Sequence, residues 1–241
     1  MDETMTFEQC LEAAEKGDAE AQFQLALHYE NGQGVPKDKE LAIKWTRKAA
    51  EQGLARAQFN YGSYLATRVV PPDHEEAAKW CLLAANQGLA EAQLICAQIY
   101  FAGVGAPLDP KLAVEWLTKA ADQGLAEAQY YFGRNYYYGE GVPLNKKLAA
   151  KWFKLAADQG FAVAQLKLAE LYFIGDGVAK DKKLAAKWLK SVTDQELCED
   201  TFNFLEASFL SDIVSMDKIL AAKWLKFAAE QGFVVSQRAP R

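Results

Sequence analysis

Six tryptophans occur in the chain, and their spacing constrains the fold more than any other feature of the sequence. The spacings are 35, 36, 36, 36 and 36 residues, and the residues are Trp45, Trp80, Trp116, Trp152, Trp188 and Trp224. A fixed period in this range is typical of repeat proteins, in which each unit buries its apolar face by stacking on its neighbours. We interpret the tryptophans as one core position repeated six times rather than as a stacking platform for nucleic acid or sugar.

Helix boundaries recur with the same period. An Asp or Asn lies seven residues before each Trp, where it predicts a helix N-cap, and a Gly lies eight residues after five of the six tryptophans, where it predicts a helix end. The helix between them, helix B, therefore contains the Trp. A second helix, helix A, precedes each helix B, begins near a recurring Ala-Gln pair and is closed in four repeats by a Gly-x-Gly loop. The sequence therefore predicts an all-α solenoid of about six 36-residue helix-turn-helix repeats.

The loop between helix A and helix B has a recurring sequence of its own. Residues 29–38 read Tyr-Glu-Asn-Gly-Gln-Gly-Val-Pro-Lys-Asp, and related sequences return at 138–143 and 174–178. Together with the Ala, Trp and Gly columns, this motif resembles the Sel-one-like repeat, a relative of the tetratricopeptide repeat. The resemblance implies a right-handed α/α superhelix. It also implies an adaptor or scaffold role in signalling, quality control, or bacterial envelope and host interaction.

The columns divide the chain into a cap, six repeats and a partial helix. The predicted segments are a capping helix at 1–17, repeats at 18–53, 54–88, 89–124, 125–160, 161–196 and 197–232, and an incomplete helix at 233–241. Three departures from the pattern predict irregular geometry. Repeat two lacks Gly-x-Gly at residues 67–72 and is one residue short, Glu196 replaces a column glycine, and repeat six has a divergent loop at 211–216.

Composition and charge exclude several classes of function. The net charge of −5 argues against general nucleic-acid binding, which needs a concentrated cationic surface. No apolar run approaches the ~20 residues that span a bilayer, so we expect no membrane insertion. The acidic start has no apolar h-region, which predicts a cytoplasmic chain as given, or a periplasmic or secreted one if a signal peptide was removed. Cys81 and Cys96 occupy core columns and are interpreted as buried free thiols, although on paired helices they could also be bonded.

Catalytic and metal-binding patterns are weak. Some cysteine-rich relatives in the resembled family are described as β-lactam- or peptidoglycan-binding hydrolase-like proteins, and residues 215–218 do match their Ser-x-x-Lys motif. Asp217 is nevertheless the N-cap residue of its repeat, and neither Lys-Thr-Gly nor Ser-Asp-Asn occurs. His28 and His74 fall in unrelated columns, so no metal site is predicted. We therefore predict a protein without enzymatic activity or cofactor, and keep the hydrolase-like protein as the alternative.

A partner surface is predicted from the positions that vary between repeats. The most variable columns of helix A lie 3, 7, 10 and 14 residues after the preceding Gly and share one helical face, which by analogy with related arrays lines the concave groove. The predicted partner-binding residues on this face are Asn60, Gln98, Tyr131, Arg134, Tyr138, Lys167, Glu170 and Asn203. Tyr131, Arg134 and Tyr138 form a mixture typical of binding hot spots, with packing of either Tyr against an adjacent helix as the alternative.

The charges on this face indicate what kind of partner would bind. Because the face carries six acids and three bases, it predicts a peptide or protein partner with a mildly basic segment and an apolar anchor. Self-association through the apolar C-terminal end, around Phe233 and Val235, is a third interpretation.

Overall fold

The computed structural model describes residues 6–67, 71–195, 218–231 and 233, with the side chains of the last helix described from residue 223 onward. Over these residues the chain forms twelve α-helices and no strand, which confirms the predicted all-α repeat fold. The helices are α1 (Phe7–Glu15), α2 (Ala19–Asn31), α3 (Lys39–Glu51), α4 (Ala55–Thr67), α5 (His74–Asn86), α6 (Ala90–Ala102), α7 (Pro110–Asp122), α8 (Ala126–Tyr138), α9 (Lys146–Asp158), α10 (Ala162–Ile174), α11 (Lys182–Thr193) and α12 (Lys218–Glu230).

Helix B begins and ends where the sequence predicts. In five repeats the Oδ1 atom of the Asp or Asn column accepts a hydrogen bond from the backbone N–H three residues later, at 2.9–3.1 Å. These residues are Asp38, Asp73, Asp109, Asn145 and Asp181, while Asp217 lies outside the described residues. The column glycine after helix B is left-handed, as at Gly53 (φ 93°). The side-chain acceptor and the left-handed turn satisfy backbone groups that the helix itself leaves unpaired.

The two glycines of the Gly-x-Gly loop have different tasks. Gly103 caps α6 in the left-handed conformation, and its N–H donates to the Ile99 carbonyl at 2.8 Å. Gly105 lies so close to the start of α5 that a Cβ there would overlap the His74 carbonyl. The second glycine therefore lets the loop pack against the preceding helix B.

The residue that repeat two lacks is missing from the loop between its helix A and helix B. In the regular repeats the N–H of the N-cap residue donates to a carbonyl nine residues earlier, as from Asp38 to Tyr29 at 3.0 Å. In repeat two the bond runs over eight residues, from Asp73 to Leu65 at 3.1 Å. Because this bond is kept, α5 still begins at its predicted cap despite the shorter loop.

A ladder of glutamines, which the sequence analysis did not predict, links successive helices. The buried Gln22 of α2 donates to the Ala14 carbonyl of α1 at 3.2 Å. Its Oε1 accepts a hydrogen bond at 2.9 Å from Gln52 at the end of α3, and Gln52 also donates to the Gly17 carbonyl at 2.9 Å. The same side-chain pairing recurs for Gln87 with Gln58, Gln159 with Gln129, and Gln195 with Gln165, at 2.8–2.9 Å. Each ladder step gives a donor to the carbonyl of a column glycine, as at Gly17. It also adds a second donor to an Ala carbonyl, as at Ala14, which already accepts from the Gly17 N–H at 3.1 Å.

The chain divides into two compact units, residues 1–120 and residues 121–241. In the first unit each of the helices α1 to α6 contacts the next, with one buried cluster around Leu25 and another around Tyr61. In the second unit α8 to α11 contact one another in the same sequential way, and α12 packs on α10. Phe153, Leu168 and Trp224 belong to the buried cluster of this second unit.

The tryptophan column lies in or against these cores. The Trp116 and Trp224 side chains are buried, and those of the other four tryptophans are half-buried. Cys81 and Cys96 are buried free thiols, as predicted, and the Cys10 side chain is also buried. Cys198 lies outside the described residues.

Candidate partner-binding surface

The predicted hot-spot residues of α8 lie together in the structure. The guanidinium carbon of Arg134 lies 6.0 Å from the ring centroid of Tyr131 and 5.8 Å from that of Tyr138. Because the three residues follow at intervals of three and four, the helix places one ring on either side of the cation along its axis. The half-buried guanidinium is thereby held in place by cation–π contacts while its donors stay within reach of solvent.

The two tyrosines differ in how far they face solvent. Tyr131 is half-buried, packs against the core of its unit and contacts the Tyr130 ring with 5.5 Å between centroids. Tyr138 is 43% exposed, although its ring also contacts Tyr137 at 4.9 Å. Part of the Tyr131 surface is therefore used in packing against the core, whereas Tyr138 is the more exposed of the two rings.

The carboxyl group of Glu127 also belongs to the variable face of α8. Glu127 occupies the column four residues before Tyr131, and burial raises the pKa of its carboxyl group above the usual value. Burial also raises the pKa of the Tyr131 hydroxyl, with Glu127 adding to the shift and Arg134 opposing it. A carboxylate that has lost part of its hydration would gain from a cationic partner group, because an opposite charge stabilises the ionised form.

Lys167 and Glu170 do not lie on an exposed surface, which corrects the expectation for these two residues. Each is 4% exposed, and they form an ion pair with 2.9 Å between Nζ and Oε2. The Lys167 ammonium also lies 4.5 Å from the centroid of the Tyr137 ring. The periodicity placed them correctly on the variable face of helix A, but in α10 that face is covered. They remain in the structure as a buried polar cluster rather than as a free contact surface.

The remaining predicted residues are spread over the chain. Asn60 is half-buried on α4 and Gln98 is exposed on α6, both in the first unit. Asn203 lies outside the described residues. Phe233, assigned to the apolar C-terminal end, is only 5% exposed and belongs to the core of the second unit, so it offers little surface for self-association. Val235 lies outside the described residues.

Sequence reasoning missed a pocket in the first unit. It lies between α4, α5 and α6, has a volume of about 330 Å³ and is lined mainly by carbon atoms. Ser63 and Gln98, from two of the variable columns, stand among its lining residues, with Gly62 and Cys81. The available signal was the small size of Gly62 and Cys81 at two adjacent core columns. We refer to this cavity as the α4–α6 pocket.

In the part of the chain that the structure describes, no group of three or more His, Cys, Asp or Glu side chains is placed to hold a metal ion. His28 Nδ1 lies 2.7 Å from the Gln33 carbonyl oxygen, and His74 is exposed at the first position of α5. Residues 215–217 of the Ser-x-x-Lys match fall outside the described residues. Among the described helices, none has both the length and the apolar composition that crossing a membrane requires.

Comparison with known families and structures identifies the repeat. The family model of the Sel1 repeat matches more than half of the chain, in six segments, which confirms the number of repeats expected from the tryptophan spacing. The segments are residues 19–54, 55–89, 90–125, 126–161, 162–195 and 211–233. A sequence comparison with functionally curated proteins gave no match.

Solved structures share the fold. The chain is 28% identical to a Sel1 repeat protein from Oxalobacter formigenes, with a TM-score of 0.72 over 93% of this chain and 88% of the other. It is 30% identical to c5321, a protective antigen of uropathogenic Escherichia coli with an SLR fold, with a TM-score of 0.68. That match covers 95% of this chain but only 57% of the antigen. An immunity protein from Pseudomonas aeruginosa, 21% identical over 92% of this chain and 84% of its own, has a TM-score of 0.51 and is similar in fold alone.

Proposed function

Because the chain belongs to the Sel1 repeat family, we propose that it is a protein-interaction scaffold that binds a peptide or partner protein on the variable face of its A helices. The Tyr131–Arg134–Tyr138 cluster of α8 is the central contact in this proposal. Tyr and Arg are the residue types enriched at binding hot spots, and they lie here on the face that differs between repeats. This arrangement is the observation that carries the proposal.

The geometry of the cluster favours binding in a physical sense. Arg134 is already held between two rings, so less side-chain freedom is lost when a partner arrives. Its planar guanidinium can donate to a carboxylate or a backbone carbonyl of the partner, while the rings offer apolar area. Glu127, whose pKa burial has raised, would favour a cationic group on the partner beside them. The proposed partner is therefore a protein segment with basic and apolar residues.

The experiment compares two variants of α8 with a matched control on α9. The first variant is Tyr131→Ala/Arg134→Glu/Tyr138→Ala, and the second is Arg134→Glu/Tyr138→Ala, which leaves the half-buried Tyr131 in the core. The control variant replaces three exposed lysines of the same unit, Lys147→Ala/Lys151→Ala/Lys154→Ala. Helicity and melting temperature are first compared for all four proteins by circular dichroism, so that loss of binding is not confused with loss of fold.

Tagged proteins are then used to capture partners from an extract of the source cells, and the captured protein is purified and titrated by calorimetry. We expect the wild type and the control to bind it, and both α8 variants to bind about 30-fold more weakly or worse, the effect of losing at least one hot spot. A partner that binds all four proteins equally would place the interface elsewhere and contradict the proposal.

A further inference from the structure

The α4–α6 pocket arises from one substitution within the repeat. In the second unit, Gly133 of α8 faces Phe153 of α9, and a Cβ at Gly133 would lie 2.8 Å from the Phe153 Cδ1 atom. The large ring thus occupies the space above the glycine. In the first unit the equivalent pair is Gly62 and Cys81, with 2.9 Å from such a Cβ to the Cys81 Sγ atom. The glycine is kept but the side chain facing it is small, so the space that a ring fills in repeat four is left open in repeat two.

The lining of the pocket is mostly apolar and carries no acidic, lysine or arginine side chain. Its polar side chains are those of Ser63, Thr67, His74 and Gln98. Phe59, Ile95 and Ile99 contribute much of its carbon surface, and the half-exposed Val104 stands at the edge. Burial raises the pKa of the Cys81 thiol to about 11, as expected in surroundings that disfavour the thiolate. Placing a charged group in such a pocket would cost far more than placing a neutral apolar one.

The pocket opens on the face to which the proposed function assigns partner binding. Ser63 and Thr67 lie 10 and 14 residues after Gly53, and Ile95, Gln98 and Ala102 lie 7, 10 and 14 residues after Gly88. All five belong to the variable columns of helix A, and all five line the pocket. The opening therefore lies on the variable face of the A helices of the first unit.

We propose that the α4–α6 pocket is an anchor site that takes one uncharged apolar side chain, of the size of Leu, Phe or Trp, from a bound partner segment. The inference rests on the proposed function. It adds the place at which the apolar side chain of the partner inserts. The volume of about 330 Å³ lies at the lower end of the ~300–1,000 Å³ typical of ligand pockets. A single side chain that leaves water for a pocket of this kind is the usual centre of a binding hot spot.

Filling the pocket by mutation separates an anchor site from a mere packing defect, because only an anchor site loses ligand binding when it is filled. An unfilled cavity lowers stability, so filling it from within should raise the melting temperature. Cys81→Leu introduces the residue found at the equivalent positions Leu117 and Leu189, and we expect it to melt at or above the wild-type temperature while losing the site. Ser63→Trp closes the mouth from an exposed position without touching the core. Its control is Leu83→Trp, which is exposed on α5 and lies outside both the pocket lining and the variable columns of helix A.

The site is probed in the full chain by methyl NMR with labelled isoleucine δ1 groups. The ligands are the N-acetyl amides of Leu, Phe and Trp, with those of Lys and Glu as charged controls. We expect saturable shifts at Ile95 and Ile99, which line the pocket, and none at Ile43 or Ile174, which do not. The Lys and Glu amides should leave all four signals unchanged. Cys81→Leu and Ser63→Trp should abolish the shifts, and Leu83→Trp should keep them.

Titration of the captured partner separates this inference from the proposed function. We expect Cys81→Leu and Ser63→Trp to weaken partner binding roughly tenfold or more, with Leu83→Trp at the wild-type level. Absence of saturable shifts at Ile95 and Ile99, or an equal response to the charged amides, would overturn the anchor site while leaving the α8 contacts untouched. So would a partner whose affinity falls with the α8 variants but not with Cys81→Leu or Ser63→Trp.

Discussion

The tryptophans occupy one column of the repeat, but their side chains meet different surroundings. Trp116 is 6% exposed, whereas Trp45 is half-buried. Both carry a lysine over the ring, with Lys119 Nζ 4.0 Å from the Trp116 centroid and Lys48 Nζ 3.9 Å from that of Trp45. The cation–π contact is therefore matched between the two sites, and burial is the main difference.

This matched pair tests the core assignment of the column. We expect Trp116→Ala to lower the free energy of unfolding by roughly 3–5 kcal/mol, the range for truncating a large buried aromatic side chain. Trp45→Ala should cost less, because less apolar area leaves water on folding there. Urea unfolding followed by circular dichroism measures both. Equal losses in the two variants, or a Trp116→Ala protein that unfolds like wild type, would show that the burial of Trp116 does not set its contribution.

At the residue scale, the sequence predicts which face a side chain lies on but not what covers that face. Helical spacing placed Tyr131 and Arg134 together on α8, and the structure agrees. The same spacing placed Lys167 and Glu170 on the equivalent face of α10, where they are buried as an ion pair. A charged pair three residues apart looks the same in sequence whether it is solvated or buried, since the difference depends on tertiary contacts.

At the element scale, the glutamine ladder is a regular set of hydrogen bonds between helices. Gln129 is buried, donates to the Ala121 carbonyl at 3.3 Å and accepts from Gln159 at 2.8 Å. Each step thus joins the ends of two B helices through the A helix between them. The Ala-Gln pair was visible in the sequence, and so was a second Gln column seven residues after each Trp, as at Gln52 and Gln87. Their pairing is not readable from one column alone, because the bond spans 29 to 30 residues.

We expect Gln129→Leu to lower the free energy of unfolding by about 1–3 kcal/mol, because it removes two hydrogen bonds that each contribute about 0.5–1.5 kcal/mol. The Ala121 carbonyl would keep only its bond from the Gly124 N–H, and Gln159 would lose one acceptor. Gln98→Leu is the control, because Gln98 is exposed and such substitutions usually change stability by less than ~0.5 kcal/mol. Chemical denaturation measures the free energy of unfolding of both variants. Similar midpoints for the two would mean that the ladder adds no net stability.

Helix ends were predictable for a reason that does not apply to the ladder or the pocket. The caps depend on residues within three or four positions, such as Asp38 with the Leu41 N–H, so the local sequence contains the whole interaction. The α4–α6 pocket depends instead on Gly62 and Cys81 being small on two different helices. Only a comparison of columns across repeats, with Phe153 as the reference for Cys81, shows that the space is unfilled.

At the scale of the whole molecule, the contacts within each unit run mainly between helices that are neighbours in the sequence. In the first unit they lead from α1 to α6 in order, and in the second from α8 to α11. Stability in such an array is approximately a sum of repeat and nearest-neighbour interface terms. A local loss should therefore stay local, unlike in a domain with one shared core.

Hydrogen exchange of backbone amides in two reciprocal variants tests whether a local loss of stability stays local. Leu25 in α2 and Leu168 in α10 are both fully buried, so replacing either with Ala should cost a similar ~2–5 kcal/mol. We expect Leu25→Ala to speed exchange in α1 to α3 while leaving α8 to α10 at wild-type rates, and Leu168→Ala to do the reverse, because sub-global opening follows local contacts. If each variant speeds exchange equally in both regions, the chain opens as one cooperative unit. Nearest-neighbour coupling between repeats would then not describe its stability.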